Sequence, residues 1–535
     1  MASVLIVGAG PTGLTLACVL ARQGADIRII DRAPGHHRIS RGKALNPRSL
    51  EALADLGLAE RLAAVGRPHL AFRKYFAGRH VSDTDPAAEA VATPDAPYPG
   101  PLSLPQWRVE EILRERLAEH GVQVETGREL AGLEQDEHGV TALLADGGRI
   151  TADHLVGCDG AGSRVRKLIG VPFEGATDPG QVMVCGDVEV DGDLDRTVWH
   201  QWFDADGAVL LCPFRDSPTW QFQAVPERDE DGAPVEPSLE GFQRLFDRYA
   251  QLPGVRLRNA TWLSTWRANV RIATRYRVGR VLLAGDAAHV HPFTGGLGMN
   301  TGIQDAWNLG WKLALVLAGR AGPDLLDTYE QERLPVAARA LSLSSTAFAT
   351  VMEAVKVPGV GVESISVPDL RGLGIHYRWS PLAAGPTAAG DGPRAGDRAP
   401  DAPCRRPDGT AVRLFECFAG GRFTLLGFGA AARPALTGWG PLLRPVAVEA
   451  GPDGSGTPED PDGVRTPEDP DGVRTLEDPE GHARRAYGIT GDALVLVRPD
   501  NHLALVAPAD GGELVRAYLD GLGRTGEPAR AGDPA

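Results

Sequence analysis

Short runs of apolar residues, each closed by a glycine or a carboxylate, alternate with stretches of helical period at the start of the chain. Val4, Leu5, Ile6 and Val7 are apolar without interruption, which predicts a strand buried on both faces. Residues 14–22 then predict a helix and 26–30 a second strand, so the chain opens as a βαβ unit. Further helical patterns run from about 47 to 65 and from 109 to 119, with strands predicted at 153–158 and 280–284 and a long helix from about 302 to 318. Between about 182 and 225 the pattern changes to short strand-like runs separated by Asp-Gly and Asp-Ser-Pro turns, which predicts an antiparallel sheet roofing a cavity.

From 381 to 403 alanine, glycine and proline dominate, the composition of a linker, which we place at 381–400. Beyond it, 423–428 and 493–500 predict strands and 512–522 a helix of a smaller α/β domain. Between its halves a nine-residue unit begins at Thr457, is copied at 466–474 and decays from Thr475. Valine is the only apolar residue of that unit, so a disordered loop near 451–483 is expected rather than a packed repeat.

A chain of 535 residues exceeds one hydrophobic core, so two or three domains are expected. The net charge of −15 carries no block of like charge, which argues against nucleic-acid or membrane partners and for small molecules. Six cysteines show no Cys-x-x-Cys pair, as suits a reducing cytoplasm, and the apolar start lacks the basic flank of a secretory signal. No apolar stretch reaches membrane-spanning length, and no metal site is expected.

Three separated segments carry the chemistry. In the first, Gly8, Gly10 and Gly13 follow a strand and open a helix through Pro11 and Thr12. Such a loop lets a pyrophosphate approach the backbone at the helix N-terminus, where negative charge is favoured. Asp31, eighteen residues past Gly13 and followed by Arg32, sits where a carboxylate would accept ribose hydroxyls. The second segment holds Asp159, Gly160, Ser163 and Arg166; Asp159, at a strand end next to glycine, can hold a tight loop, whereas Arg166 reads equally as a site residue or a salt-bridged helix residue. The third runs from Gly285 and Asp286 through Pro292 to Gly295, Gly296, Leu297, Gly298, Met299 and Asn300. Its glycines remove side chains where a planar ring must approach, and a helix starting near Met299 would aim N–H groups at that ring.

Together these segments resemble the single-component FAD-dependent aromatic hydroxylases of the para-hydroxybenzoate and phenol hydroxylase type, closest in layout to bacterial polyketide hydroxylases. The resemblance implies an α/β fold: a glutathione-reductase-like FAD domain, an interleaved antiparallel substrate domain and a thioredoxin-like C-terminal domain. We place the FAD domain at 1–70, 100–180 and 270–345, the substrate domain at 71–99, 181–269 and 346–380, and the C-terminal domain at 401–535. It implies Arg41 near the FAD pyrophosphate and flavin edge, Gln106 in contact with FAD, Asp159 at the cofactor and Asp286 on the ribityl chain. Lys43 departs from the small or acidic residue usual at its place in the family.

The implied reaction is hydroxylation of a phenolic or polycyclic aromatic by way of a flavin hydroperoxide, with NADPH or NADH and O2 as co-substrates. A homodimer is compatible with this layout. A Baeyer–Villiger or epoxidising enzyme would share every FAD motif, and a non-catalytic flavoprotein would share them without turnover. Trp199, Trp202, Phe203, Trp220, Phe222, Phe72, Tyr75 and Phe76 suit either a cavity or core packing. His200, His289, His291 and Tyr377 are candidates for deprotonating a phenol, but none sits in a diagnostic constellation, so no catalytic base is assigned.

Overall fold

The computed structural model describes residues 2–68, 70–85, 88, 90–291, 296–354, 370–384, 392–451 and 472–523. The chain opens with β1 (Ala2–Val7), α1 (Pro11–Arg22), β2 (Ile27–Ile30) and α2 (Pro47–Asp55). It leaves for a second sheet with β3 (Ala71–Phe76) and β4 (Arg79–Thr84), and returns through α3 (Gln106–Glu119) and β5 (Arg149–Gly157). It leaves again as β6 (Phe173–Asp191), β7 (Val198–Asp204), β8 (Gly207–Pro213), β9 (Thr219–Ala224), α4 (Leu239–Ala250) and β10 (Arg256–Ala273). Strand β11 (Val281–Leu283) and helices α5 (Leu297–Leu317) and α6 (Asp327–Ala354) bring it back.

In the first sheet β1 lies between β2 and β5, and β5 pairs in parallel with β11. Val4, Leu5 and Ile6 are buried on both faces, as an uninterrupted apolar strand requires. Helix α5 lies close against α1 because Gly310 has no side chain; a Cβ there would stand 2.5 Å from Val19 Cγ1. The second sheet is mainly antiparallel, and its outer face packs on α4 through Trp202, Trp220, Phe222, Phe242 and Phe246.

A third, mixed sheet contains β12 (Phe423–Phe428), β13 (Leu443–Glu449), β14 (Arg474–Glu477), β15 (Ala493–Val497) and β16 (Leu503–Pro508), with α7 (Gly512–Gly521) following. Trp311 and Leu315 of α5 share one core with Phe423, Leu425 and Leu494 of this sheet. Helix α5 is therefore wrapped by protein along its length, so that even its polar stripe of Thr301, Gln304, Asp305, Asn308 and Lys312 is buried.

Four expectations change in detail. The helical pattern at 47–65 is two helices broken at Gly57, which takes φ +76°, open only to glycine without strain. The long helix starts five residues earlier than 302, at Leu297, because Gly296 turns the chain into it at φ +61°. The linker at 381–400 is packed in its described part: Leu382, Asp397 and Ala399 are buried, and a Cβ at Gly396 would stand 2.6 Å from the Tyr377 backbone. Small residues here serve close backbone approach rather than flexibility. The repeat loop is shorter than 451–483 at its C-terminal side, since Val473 is buried and β14 pairs in parallel with β13. The single apolar residue of the repeat thus becomes a core residue once a strand forms beside it; residues 452–471 lie outside the described set. Among the described residues no helix is long and apolar enough to cross a membrane.

Candidate active site

The glycine loop between β1 and α1 divides its three glycines by role. A Cβ at Gly8 would stand 2.3 Å from the Cys158 carbonyl oxygen, and one at Gly13 would stand 2.0 Å from that of Gly8. One at Gly10 would meet nothing within 4 Å. The outer two glycines thus let strand and helix close up, and Gly10 leaves the start of α1 open to a ligand. Pro11 occupies the first helical turn, where no N–H is missed. Thr12 fills the space left by Gly285 and Gly302, whose Cβ atoms would stand 2.4 and 2.3 Å from its Oγ1. Beyond β2 the Asp31 carboxylate accepts from the backbone N–H of Ala9 at 2.7 Å and of Ala33 at 2.8 Å, which holds it at the rim of this loop. Arg32 is exposed beside it.

After β11 the chain makes a tight turn, Gly285–Ala287. Asp286 is exposed at its surface yet ringed by protein, the situation of a side chain on the floor of a crevice. Burial raises its carboxyl above the ordinary range, with His289 and Arg41 opposing. Arg41 is exposed in the same crevice. Leu297 is buried, while Gly298 and Met299 are half-buried in the first turn of α5. Pro292 and Gly295 lie outside the described residues.

Several expected site residues brace this crevice. Gln106 Oε1 accepts from the Gly42 N–H at 3.0 Å and its Nε2 donates to Glu110 at 2.8 Å, so it holds the Arg41 segment in place. Burial pushes the Glu110 carboxyl up to about 7. Asp159 spends both carboxylate oxygens on its own loop, accepting from Ser163 Oγ at 2.5 Å and from the N–H groups of Arg164 and Val165 at 2.6 and 3.1 Å. Asn300 is likewise spent, accepting from Asn46 N–H at 2.8 Å and donating to the carbonyls of Ala44 and Gly296. For these two the side chain positions backbone, and only backbone groups remain for a ligand. Arg166 donates to the Ala287 carbonyl at 2.7 Å and stacks on Phe173, clamping the Asp286 turn from behind.

A charged network lies under the turn. Asp305 accepts from Arg333 Nε at 2.7 Å, His289 Nε2 at 2.6 Å and the Gly285 N–H at 3.1 Å, all without solvent exposure. Burial alone would raise its carboxyl, but His289 and Arg333 outweigh it and keep it ionised. His289 Nδ1 in turn meets His291 Nε2 at 3.0 Å. A partial signal was present in sequence: Asp305 is a charged position beside Ile303, Ala306 and Trp307 in the long helix.

The four candidate bases are mostly withdrawn by this geometry. His200 faces α4, its Nε2 donating to the Asp195 carbonyl and its Nδ1 accepting from Tyr75. His289 is consumed by Asp305. Burial pushes His291 down to about 3, too weak a base near neutrality. Tyr377 is buried, its hydroxyl held by Arg333 at 2.9 Å, and burial raises its ionisation above the ordinary range against the pull of Arg333.

The second sheet sorts the aromatic residues by strand alternation. Trp202, Trp220 and Phe222 belong to the core under α4, with Tyr75 packed against it. Trp199 and Phe203, opposite Phe72 and Phe76 on β3, occupy the other face with Leu210 and Met183. That face meets the segment before α2: Asp187 accepts from the Ser40 N–H, Gln221 donates to the Ser40 carbonyl, and Lys43 Nζ donates to Gln223 Oε1. The Asp286 turn and this aromatic face thus converge around residues 40–43, where Arg41 acts on the Asp286 carboxyl and Gly42 meets Met299.

Comparison with known proteins agrees with this arrangement. Residues 1–344 match the family model of the FAD binding domain, and residues 392–525 match that of the aromatic-ring hydroxylase C-terminal domain. A flavin-dependent monooxygenase of Mycobacteroides abscessus is 38% identical over 97% of this chain and 99% of its own. The 6-methylpretetramide 4-monooxygenase of Streptomyces rimosus is 37% identical over 97% of this chain and 93% of its own. The crystal structure of aklavinone-11 hydroxylase with FAD and aklavinone superposes with a TM-score of 0.78 at 29% identity, covering 98% of this chain and 99% of that one. The chain belongs to the family of FAD-dependent aromatic-ring hydroxylases. It is a flavin-dependent monooxygenase, and FAD is its cofactor.

Proposed function

We propose that this enzyme hydroxylates a phenolic or polycyclic aromatic substrate of polyketide type, using O2 and NADPH (or NADH), as a tailoring step in antibiotic biosynthesis. The cytoplasm is the compartment that supplies the reduced nicotinamide. The observation that carries this reading is the convergence of the Asp286 crevice with the Trp199 and Phe203 face of the second sheet. Relatives named for tetracycline-type and aklavinone substrates support a polycyclic ligand.

In this reading Gly10 and the N-terminus of α1 receive the FAD pyrophosphate, Asp31 the adenosine ribose and Asp286 the ribityl hydroxyls. The first turn of α5, at Leu297, Gly298 and Met299, points its free N–H groups at the flavin ring. FAD supplies the chemistry of hydride acceptance and oxygen activation. The protein binds, orients and excludes water around it. The third sheet, thioredoxin-like but without a Cys-x-x-Cys pair, acts as a brace on α5 rather than as a redox module.

The test is oxidation of NADPH by the yellow purified protein, with and without a panel of phenolic polyketides, followed by mass spectrometry. A ring-retained product heavier by one oxygen supports hydroxylation. A lactone identifies a Baeyer–Villiger enzyme, and stoichiometric FAD with no NADPH oxidation over the whole panel refutes turnover.

A further inference from the structure

Lys43 is half-buried, its ammonium lies inside the protein, and among the described residues it has no counter-ion. Its Nζ donates to the neutral amide oxygen of Gln223 at 2.6 Å and stands 4.0 Å from the centre of the Trp199 ring. The other titratable groups facing it are the thiols of Cys185 on β6 and Cys212 on β8, both kept neutral by burial, which pushes them up to about 12 and about 11. Asp187, two positions from Cys185 on the same face, accepts from the Ser40 N–H through one oxygen while the other is buried without a partner, and it forms no ion pair with Lys43. Among the described residues no carboxylate pairs with Lys43, and burial lowers its ammonium to about 8.

Placing a cation where only an amide and an aromatic face receive it is costly unless an anion arrives to share the site. The position of Lys43 says what that anion would be. One residue before it, Gly42 is pressed against the first turn of α5: a Cβ there would stand 3.1 Å from Met299 Sδ and 3.3 Å from Gln106 Oε1. The backbone of Lys43 therefore borders the flavin side, while its Nζ reaches the aromatic face of the second sheet. Gln201, on that same face, has both amide atoms buried without a partner, so hydrogen-bonding capacity is left unused there.

We propose that Lys43 binds an ionised oxygen, a phenolate or enolate, on the polycyclic substrate, with Trp199 stacked beside it and Gln223 orienting the ammonium. The inference rests on the hydroxylase reading above and names its substrate as an acidic hydroxylated polycycle. In proton terms the substrate O–H breaks, and the proton goes to solvent, or to Nζ when the amine is neutral. Either route ends in the same phenolate–ammonium pair, and the added electron density favours attack by the ring on an electrophilic oxygen.

The experiment uses the FAD-loaded enzyme and two hydroxylated polycycles whose absorbance reports ionisation, alizarin and anhydrotetracycline, titrated with pH while bound. In the wild type the ligand should ionise about 1–3 pH units below its value in water, the range for an opposite charge at contact. Lys43→Met should abolish that shift at unchanged flavin content, and Lys43→Arg should restore it. The same shift in wild type and Lys43→Met overturns the proposal, as does failure of the wild type to bind either ligand. Because the readout is ligand colour, a wild-type shift without turnover of any aromatic would refute the hydroxylase reading while leaving the anion site standing.

Discussion

Glu332 offers a measurable test of how the third sheet is held on the flavin-binding part. Its carboxylate has no solvent exposure and takes five donors: Arg498 through two nitrogens at 2.7 and 2.9 Å, Lys312 Nζ at 2.7 Å, Asn308 Nδ2 at 2.7 Å and Ser380 Oγ at 2.6 Å. Arg498 also pairs with Asp500 at 2.7 Å, so two cations face two carboxylates and the cluster is neutral. Glu332→Gln leaves one positive charge uncompensated and turns an amide donor toward other donors. Removing one partner of a buried pair costs about 3–5 kcal/mol. At roughly 2–4 °C per kcal/mol for domains of this size, the melting temperature should fall on the order of 10 °C. Melting is followed by flavin release and by tryptophan fluorescence, since Trp311 lies at this junction. Burial raises the Glu332 carboxyl, but Arg498 and Lys312 outweigh it and hold it below the ordinary range. Its contribution is therefore present above the unfolded value of about 4.3 and is lost as pH falls through the lower folded value. The gap between wild type and variant should narrow only in that acid window. A variant melting within about 2 °C of wild type at neutral pH would show that Asp500 alone satisfies both cations and would refute the reasoning.

Three further outcomes are expected. Gly13→Ala drives a Cβ against the Gly8 carbonyl oxygen at 2.0 Å, a backbone contact that cannot swing away, so stability should drop by about 1–3 kcal/mol and flavin content with it; a yellow variant with wild-type flavin-to-protein absorbance would contradict the loop assignment. Asp286→Ala should lower FAD occupancy on gel filtration while leaving the melting of the flavin-free protein unchanged, and equal occupancy would remove Asp286 from the site. Deleting residues 457–471 should leave flavin content and turnover unchanged, because shortening this loop to under half its length changes its closure by only about 1 kcal/mol at about 0.6 kcal/mol per halving, whereas extending the deletion through Val473 should destabilise the third sheet by emptying a buried position.

The glycine loop, Asp31 and the Asp286 turn were legible in sequence because their constraints are local. A glycine that must let a carbonyl pass at 2 Å, or a carboxylate ending a strand, is written into three or four adjacent residues. Even there, the division between Gly10, which faces open space, and Gly8 and Gly13, which face backbone, required coordinates. Asp159 holds its tight loop as the sequence suggested, and Asn300 spends its side chain on neighbouring backbone, so both offer a ligand their backbone groups.

By itself the sequence determined the βαβ opening, the flavin-binding motifs and the alternation of apolar and polar residues in the second sheet. These follow from near-neighbour chemistry: strand period, helix capping and the steric freedom of glycine. Tertiary structure alone decided which side of that alternation meets residues 40–43, leaving Trp199 and Phe203 on it and Trp202, Trp220 and Phe222 under α4. It alone brought Asp305 to Arg333 and His289, Glu332 to Arg498, and Lys43 to Trp199 and Gln223. Each of these pairings joins residues well separated along the chain. Their energy comes from the exclusion of water and from charges brought together at low dielectric, which no local pattern encodes.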